Sequence, residues 1–369
     1  MEIHILPSLL SHHINLVQRA ISNRSNQLIF QCIQFEAKEQ TLYLTATDQE
    51  LVIRTKLDCQ VLEEGVFVAP ATLIGNIFRK FPDSIAKISC QEQLLDIQCL
   101  QSHFQLQVPS PQEFPLLPQL DFEDIVYLES ETFKEAIEQT EFAVAQDDKY
   151  IVLTGIFVKR QGNEMHLVSL DGYRVAIKSL QVQHEGMEEN HEMIVPKRAL
   201  SELSKILQTE ETIKMISSKS LVLFETENLQ LYSRLIDKTY LDYEEIINEE
   251  YTTEVKVDKY LFQQAMDRVS LLSKEEKANL IKMYIRGDKM YLTSNTSIGH
   301  VKEEIAIERK GEDLTIAFNV RYLFEGVRAI REENVSLYFR GALNPLSIRP
   351  EMKKDYLYIA LPVRVAKEG

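Results

Sequence analysis

Motifs that enzymes use for nucleotide binding or hydrolysis are missing from this chain of 369 residues. It has no GxGxxG, no Gly-Lys pair of a P-loop, no HExxH and no GxSxG, and only 12 glycines could shape loops around phosphates. Carboxylate pairs such as Glu249-Glu250 lie in polar runs that are typical of a solvated surface. We therefore expect no catalytic residues, and an enzyme is the less favoured alternative.

Cysteine is scarce, and its spacing excludes the usual metal and redox motifs. Cys32, Cys59, Cys90 and Cys99 form neither a zinc-ribbon pattern nor a CxxC pair. The eight histidines also lack a ligand pattern. We expect reduced, structural thiols, no metal site and no cofactor.

Long apolar runs are absent as well. No stretch approaches the roughly 20 apolar residues that a membrane-spanning helix needs. The first 20 residues lack a basic leading segment and are interrupted by Pro7 and the His12-His13 pair, so we expect no signal peptide. The sequence predicts a cytoplasmic protein.

What the chain does contain is one stretch that appears three times. Residues 164–181, EMHLVSLDGYRVAIKSLQ, have the pattern of two strands separated by a polar break at Asp171-Gly172, which predicts a β-hairpin. Related stretches occur at 41–58 and 289–306. Repetition at a fixed spacing indicates repeated structural units.

Three further patterns recur beside the hairpin. A short strand leads to an amphipathic helix with an expected N-cap at Ser8, Ser130 or Asp258. A second strand runs into a helix at 65–83, 191–209 and 314–332, with Pro70, Pro196 or Asn319 near the helix start. A pair of strands closes each unit at 94–108, 220–235 and 346–363. Each unit should therefore run strand, helix, hairpin, strand, helix, hairpin.

Acidic, loop-like segments separate these units. They lie at 109–124, which is also rich in proline, and at 243–254. The sequence thus predicts three α+β domains of antiparallel sheet plus two helices each, at residues 1–124, 125–251 and 252–369.

The candidate helices differ in net charge from the chain as a whole. The chain carries a net charge of −15, yet five of the six candidate helices carry a net positive charge; the exception is 131–143. Such charges could simply be the solvated side of each helix. Their recurrence in an acidic chain favours a shared basic surface that follows phosphates without reading bases.

The three-fold repeat resembles the bacterial sliding clamp family, the beta subunit of DNA polymerase III. The resemblance spans essentially the whole chain and rests on the order and spacing of several short motifs. These are ATDQE at 46–50, EFP at 113–115, DGYR at 171–174, VP at 195–196, FNVRY at 318–322 and the closing YIALPVR.

The resemblance implies a DNA clamp fold that closes as a head-to-tail homodimeric ring around double-stranded DNA without sequence preference. Such a ring tethers the DNA polymerase III alpha subunit, the clamp loader and other proteins that carry a clamp-binding motif, and it confers processivity. The expected DNA contacts are Arg24, Arg79, Lys80, Lys197, Arg198, Lys205, Arg321 and Arg328.

The resemblance also implies a cavity for a partner's peptide between the second and third domains. Its expected residues are Leu153, Gly172, Tyr173, Arg174, Val175, Leu241, Ile246, Tyr322, Leu361, Pro362, Val363 and Arg364. Tyr150, Leu241 and Glu245 depart from the family pattern, so the preferred peptide could differ. From the sequence alone, Asp171-Gly172 could also be a plain turn.

For ring closure, the resemblance points to Phe104 and Leu106 of one subunit against Leu271 and Leu272 of the other. The alternative is that all four side chains belong to the internal core. A further alternative is a repeat scaffold that binds proteins as a monomer or open assembly and never encircles DNA. Two-domain trimeric clamps are disfavoured because this chain contains three repeats.

Overall fold

The computed structural model describes residues 1–22, 27–119, 124–185, 190–247, 250–273 and 279–364. Within them one order of elements occurs three times: a strand, a helix, five strands, a second helix and three strands. The predicted hairpins and helices are all present. The predicted order was incomplete, because each repeat contains more strands than the hairpin patterns indicated.

The first repeat contains β1 (Glu2–Ile5), α1 (Pro7–Val17), β2 (Cys32–Lys38), β3 (Thr41–Thr47), β4 (Leu51–Asp58), β5 (Gln60–Glu63), β6 (Gly65–Pro70), α2 (Ala71–Lys80), β7 (Ala86–Gln91), β8 (Leu94–Cys99) and β9 (Ser102–Gln107). The second contains β10 (Asp124–Glu129), α3 (Ser130–Thr140), β11 (Gly155–Gln161), β12 (Glu164–Leu170), β13 (Arg174–Gln181), β14 (Gln183–Glu185), β15 (Asn190–Pro196), α4 (Lys197–Ile206), β16 (Thr212–Ser217), β17 (Leu221–Glu225) and β18 (Leu229–Arg234).

The third repeat contains β19 (Thr253–Asp258), α5 (Lys259–Ser273), β20 (Leu280–Arg286), β21 (Lys289–Thr296), β22 (Gly299–Ala306), β23 (Glu308–Gly311), β24 (Leu314–Asn319), α6 (Val320–Ala329), β25 (Asn334–Phe339), β26 (Leu346–Pro350) and β27 (Tyr356–Ala360). Short 3₁₀ turns extend or connect these elements, including Gln18–Ala20 after α1 and Asp148–Thr154 before β11.

The hairpin that predicted the repeat is formed by β12 and β13. The two strands pair antiparallel from Glu164 opposite Gln181 to Leu170 opposite Val175. The corresponding stretches form β3 with β4 and β21 with β22 in the same way. Alternating apolar residues bury one face of such strands, as in β4, whose Leu51, Ile53 and Leu57 are buried.

The starts of the helices correct two predicted caps. Ser8 lies inside α1, which begins at Pro7, and its hydroxyl donates to Asp83. Ser130 is the first residue of α3, and its Oγ accepts from the Glu211 amide at 3.2 Å. Asp258 does cap α5, since its carboxylate accepts from the Leu261 amide at 2.8 Å.

The described residues divide into two compact units. The first comprises Met1–Glu131, Gln183–Glu188 and Arg198–Asp237. It holds a five-stranded sheet in the order β5-β1-β7-β8-β9 and a nine-stranded sheet in the order β14-β10-β16-β17-β18-β4-β3-β2-β6. The nine-stranded sheet is continuous across two repeats because β18 pairs antiparallel with β4.

The second unit comprises Thr132–Val182, Glu189–Lys197 and Lys238–Gly369. It holds a nine-stranded sheet in the order β15-β11-β12-β13-β27-β26-β25-β19-β23 and a four-stranded sheet in the order β22-β21-β20-β24. Here β27 pairs with β13 and joins the third repeat to the second. A single core packs the inner faces of α5 and α6 against the sheets, with Phe262, Met266, Leu323 and Tyr358 fully buried.

In the described ranges, no helix combines the length and apolar character needed to cross a bilayer. All four cysteines are free thiols, and Cys32 and Cys99 are buried. Burial raises the pKa of the Cys32 thiol to about 11, which keeps it protonated and unreactive.

Candidate peptide cavity, basic helices and free sheet edges

The turn between β12 and β13 is a tight loop held by its own aspartate. Asp171 Oδ1 accepts from the amides of Tyr173 at 3.0 Å and Arg174 at 3.2 Å. Gly172 has a φ of +87°, a left-handed conformation that glycine adopts without strain. The loop therefore presents Tyr173, whose side chain is 60% exposed, in a fixed position.

The Arg174 side chain fixes this turn to the rest of the unit. Its Nε donates to Asp171 Oδ2 at 3.0 Å, its Nη1 donates to Glu325, and its Nη2 donates to the carbonyl oxygen of Phe142 at 2.7 Å. The guanidinium also lies over the Tyr322 ring at 4.7 Å. Only 4% of the side chain is exposed, so all these contacts are made in a partly desolvated site.

Electrostatics keep the Arg174 site fully ionised. Burial acts to lower the pKa of Arg174, but the neighbouring Tyr358, Glu325 and Asp171 outweigh it and raise that pKa. Burial likewise acts to raise the pKa of Glu325, but hydrogen bonds from Arg174 and Arg321 lower it overall. The charges therefore persist at neutral pH.

A cavity of about 340 Å³ opens beside this turn. Its walls combine apolar and aromatic side chains with a few charges, as is common in ligand-binding pockets. The lining residues are Val144, Ala145, Gln146, Asp147, Lys149, Tyr150, Leu153, Asp171, Tyr173, Arg174, Arg321 and Tyr322. Tyr173 and Tyr322 stack with their ring centroids 5.9 Å apart, which forms one aromatic wall.

The predicted peptide residues fall into two groups. Leu153, Tyr173, Arg174 and Tyr322 line the cavity. Leu361 lies next to it, since its amide donates to the Tyr173 carbonyl at 2.9 Å and its side chain is 39% exposed. Gly172 belongs to the turn itself.

The remaining predicted residues are not part of the cavity wall. Val175 is buried within β13, behind the turn. Ile246 lies in a separate cavity with Glu245 and Tyr338. Leu241, Pro362, Val363 and Arg364 are partly or fully exposed and do not line the cavity. Val175 and Ile246 thus lie outside the wall of this cavity, and their role in binding a peptide stays a prediction.

The sequence did not single out Glu325 or Lys149 as site residues, it indicated Asp171 only as part of the turn that precedes Tyr173, and it assigned Arg321 only to DNA. The signal was partly present, since Glu325 follows Arg321 by four positions on one helix. Its contact with Arg174, 151 positions away, leaves no local pattern.

In the first unit, the predicted basic side chains lie on packed helices. Arg79 of α2 donates to Asn15 of α1 at 3.3 Å, and Lys80 is exposed beside it. Arg198 of α4 donates to Asp48 and to the carbonyl oxygens of Arg19 and Ala20. Lys205 pairs with Glu202 at 2.7 Å.

Arg19 was not predicted, but it belongs with these side chains because it also pairs with Glu202, at 2.9 Å. The basic side chains of the first unit are thus partly neutralised by Asp48 and Glu202. The cations of these pairs are 38–53% exposed, whereas Asp48 and Glu202 are 8% and 17% exposed.

In the second unit, Arg321 and Arg328 are exposed on α6, two turns apart. Lys197, the first residue of α4, also belongs to the second unit and is half-buried. Arg24 lies outside the described residues.

Two strands are left with a free edge where their equivalents in other repeats are paired. β18 pairs with β4, and β27 pairs with β13. The equivalent strands β9 and β22 pair only with β8 and β21 in the described part of the chain. Phe104 on β9 is 37% exposed and Leu271 near β22 is 67% exposed, while Leu106 and Leu272 are half-buried. Phe104 and Leu271 are therefore not part of the internal core, and the role of all four residues in ring closure stays a prediction.

Comparison with known proteins agrees with this architecture. Three family models match the chain: the N-terminal domain of the DNA polymerase III beta subunit at residues 1–118, the central domain at 127–242 and the C-terminal domain at 244–364. A beta sliding clamp of Staphylococcus aureus is 33% identical over 363 residues, covering 95% of this chain and 96% of the relative.

Solved structures are similar over almost the full length. A putative DNA polymerase III beta subunit from Eubacterium rectale has a TM-score of 0.93 at 30% identity, covering 99% of this chain and 100% of that chain. The DNA polymerase sliding clamp of Bacillus subtilis has a TM-score of 0.95 at 27% identity, with the same coverage.

Three repeats of antiparallel sheet with two helices each define a DNA clamp fold. The chain belongs to the bacterial sliding clamp family, the beta subunit of DNA polymerase III. It is a non-catalytic accessory subunit that acts as a processivity clamp in DNA replication.

Proposed function

We propose that two copies of this chain close head to tail into a ring around duplex DNA. The observation that supports this most strongly is the pairing of repeats within the chain. Twice, the last strand of one repeat pairs with the second strand of the hairpin in the preceding repeat, as β18 with β4 and β27 with β13. If β9 and β22 follow the same rule, they pair between two copies, and each copy contributes one edge to each of two contacts.

The internal pairings also predict the register of this contact. Leu231 lies opposite Ile53, and Tyr358 lies opposite Ala176. Matching positions place Phe104 opposite Val301 of the partner subunit.

Two positions further along, Leu106 lies opposite Gly299 of the partner subunit. A Cβ on Gly299 would stand 3.9 Å from Leu272 Cδ1, so Leu272 lies directly behind this position. The contact thus brings together the side chains predicted for ring closure. Strand β22 contributes its backbone edge to the pairing, which the sequence did not indicate.

Within the ring, Arg79, Lys80, Lys197, Arg198, Lys205, Arg321 and Arg328 contact DNA phosphates, together with Arg24. Arg198, Lys205 and Arg321 are 43%, 53% and 57% exposed and pair with carboxylates, which suits weak, exchangeable contacts that permit sliding. The division into domains at residues 1–124, 125–251 and 252–369 belongs to the same proposal. Replication of chromosomal DNA places the protein in the cytoplasm.

The cavity beside Tyr173 receives a short peptide from the DNA polymerase III alpha subunit, the clamp loader and other clamp-binding proteins. Aromatic walls of Tyr150, Tyr173 and Tyr322, with Leu153 below and Leu361 alongside, suit aliphatic and aromatic anchors. Each fully buried anchor contributes roughly 1.5–3 kcal/mol. Tethering then raises the effective concentration of the polymerase at the DNA.

Native mass measurement and retention on DNA test the ring. We expect a dimer that, once loaded, stays on nicked circular DNA in high salt and is lost when the DNA is linearised. Equal loss from circular and linear DNA would contradict the ring and favour an open scaffold.

A proline at Gln105 tests the edge itself. Val108 donates its amide to the Gln93 carbonyl, so by antiparallel alternation the Gln105 amide faces away from β8. Gln105→Pro should therefore give a folded monomer. Leu62→Pro is the matched control, because Leu62 stands at a bulge on the opposite edge of the same sheet and should leave the dimer intact.

A further inference from the structure

The carboxylate of Glu325 is shared between the peptide cavity and the exposed face of α6. Its Oε2 accepts from Arg174 Nη1, and its Oε1 accepts from Arg321 Nε at 2.9 Å. Arg174 holds the turn that carries Tyr173, whereas Arg321 is one of the side chains assigned to DNA phosphates. One acidic group thus touches both surfaces.

The two arginines differ sharply in their freedom. The Arg174 side chain is 4% exposed and has four separate contacts, so it cannot leave its site without leaving charges unpaired. The Arg321 side chain is 57% exposed, and an exposed pair at this helical spacing is weak. Arg321 can therefore exchange partners while Arg174 cannot.

Arg174 in turn shapes the cavity. Its guanidinium packs on the Tyr322 ring, and the Tyr322 ring stacks on Tyr173. The backbone of Tyr322 is fixed as well, because the Tyr358 hydroxyl donates to its carbonyl at 2.8 Å. The strength of the bond between Glu325 and Arg174 therefore affects how firmly the aromatic wall is held.

We propose that Glu325 couples the two surfaces: a DNA phosphate that draws Arg321 away leaves Glu325 to Arg174 alone, which stiffens the aromatic wall and tightens peptide binding. This inference rests on the proposed peptide and DNA surfaces. Coupling of binding is reciprocal, so an occupied cavity also favours the exchange of Arg321 toward phosphate. The clamp then holds a partner more tightly when it is on DNA than when it is free.

A double-mutant cycle on the full-length dimer tests the coupling. Binding of a fluorescein-labelled hexapeptide with Leu and Phe anchors is measured by anisotropy for the native protein, Arg321→Ala, Glu325→Gln and the double variant. Arg321 also lines the cavity, so the coupling is read from the difference between backgrounds: the effect of Arg321→Ala on peptide affinity should be about fivefold more favourable when Glu325 is present than in the Glu325→Gln background. Arg331→Ala is the matched control, since Arg331 is 54% exposed and pairs with Glu135 and Glu138 instead; it should leave peptide affinity unchanged.

A second arm adds a short blunt-ended duplex at saturating concentration. The peptide should then bind about fivefold more tightly to the native protein and no more tightly to Glu325→Gln. A mobility shift in the same buffer checks that both proteins bind the duplex. If the native protein does not bind the duplex, the DNA-facing role of α6 is overturned.

Leu361→Ala separates failure of the coupling from failure of the cavity. Unchanged peptide affinity in Leu361→Ala would overturn the proposed cavity, and the coupling with it. Weaker binding in Leu361→Ala together with additive effects of Arg321→Ala and Glu325→Gln would overturn the coupling alone.

Discussion

At each of two junctions between repeats, an arginine side chain connects a hairpin turn to backbone carbonyl oxygens of another segment, but the two arginines come from different elements. In the first unit, β18 meets β4, and Arg198 reaches from α4 to Asp48 in the hairpin turn and to the carbonyl oxygens of Arg19 and Ala20. In the second unit, β27 meets β13, and Arg174 reaches from the hairpin to Asp171 and to the carbonyl oxygen of Phe142. Arg19 and Phe142 stand at matching positions 123 residues apart.

The guanidinium group thus occupies a similar site from two backbone positions, and burial separates the two cases. Arg198 is 43% exposed, but Arg174 is 4% exposed. The glutamates at matching positions also have different ion-pair partners. Glu202 pairs with Arg19 and Lys205, whereas Glu325 pairs with Arg174 and Arg321. The second junction therefore holds its arginine in a nearly buried site beside the cavity, whereas the first leaves its arginine partly exposed.

The largest expected effect comes from removing each arginine. Arg174→Ala leaves Asp171 and Glu325 without their shared buried cation, and we expect a loss of about 3 kcal/mol in unfolding free energy. Arg198→Ala removes a pair in which the arginine is 43% exposed and Asp48 is 8% exposed, but Asp48 keeps its bonds from the Glu50 and Leu51 amides, so the loss should be smaller, about 1 kcal/mol. Denaturant unfolding of both variants measures the difference.

Peptide binding provides the second measurement on the same pair. Arg174→Ala should abolish detectable binding of the labelled peptide, whereas Arg198→Ala should retain it, because Arg198 lies outside the cavity. Equal stability losses in the two variants would show that the difference in burial does not separate the junctions.

The elements that the sequence predicted are those with a recognisable local pattern of apolar and turn residues. Alternation and turn residues identified all three hairpins, and helical periodicity identified all six helices. No predicted pattern covered β2, β5 and β7 or their equivalents in the other two repeats. For β5, β14 and β23 the cause is their length, since strands of three or four residues show too little alternation. The cavity was predicted only in part, since its polar frame joins Arg174, Phe142 and Glu325 from distant segments, and only the fold brings them together.

Acid should affect the two junctions to different extents. Ion pairing lowers the pKa of both Glu202 and Glu325 despite partial burial, which acts in the opposite direction. Because the folded-state pKa is below the ordinary value of 4.5, each group stabilises the fold above about pH 4.5, and this contribution is lost as pH falls through the lowered pKa.

We expect the stability gap between the native protein and Glu325→Gln to be constant near neutral pH and to shrink below about pH 4.5. Glu202→Gln should show a smaller gap, below about 1 kcal/mol, since Arg19 and Lys205 are 38% and 53% exposed. Unfolding free energies measured across this range are the readout. A gap that does not change with pH would mean that the glutamate acts through packing and not through its charge.

The smallest effect concerns the turns, where one backbone conformation is filled by different residues. Gln49 and Gly172 occupy matching positions with φ values of +81° and +87°. Asp48 Oδ1 and Asp171 Oδ1 each accept from the backbone amides two and three residues further along the chain. A Cβ on Gly172 would meet no atom within 4 Å, so Gly172→Ala tests conformation without a clash. It should cost about 1 kcal/mol, because an L-residue is strained in this region.

Gln49→Gly should change stability by less than about 0.5 kcal/mol, since relief of strain is offset by the greater freedom of glycine in the unfolded chain. Thermal and denaturant unfolding of the two variants give the comparison. If Gly172→Ala leaves the unfolding free energy unchanged, the Asp171 hydrogen bonds alone hold the turn. Glycine at this position would then keep the rim of the cavity open, and the backbone conformation would not require it.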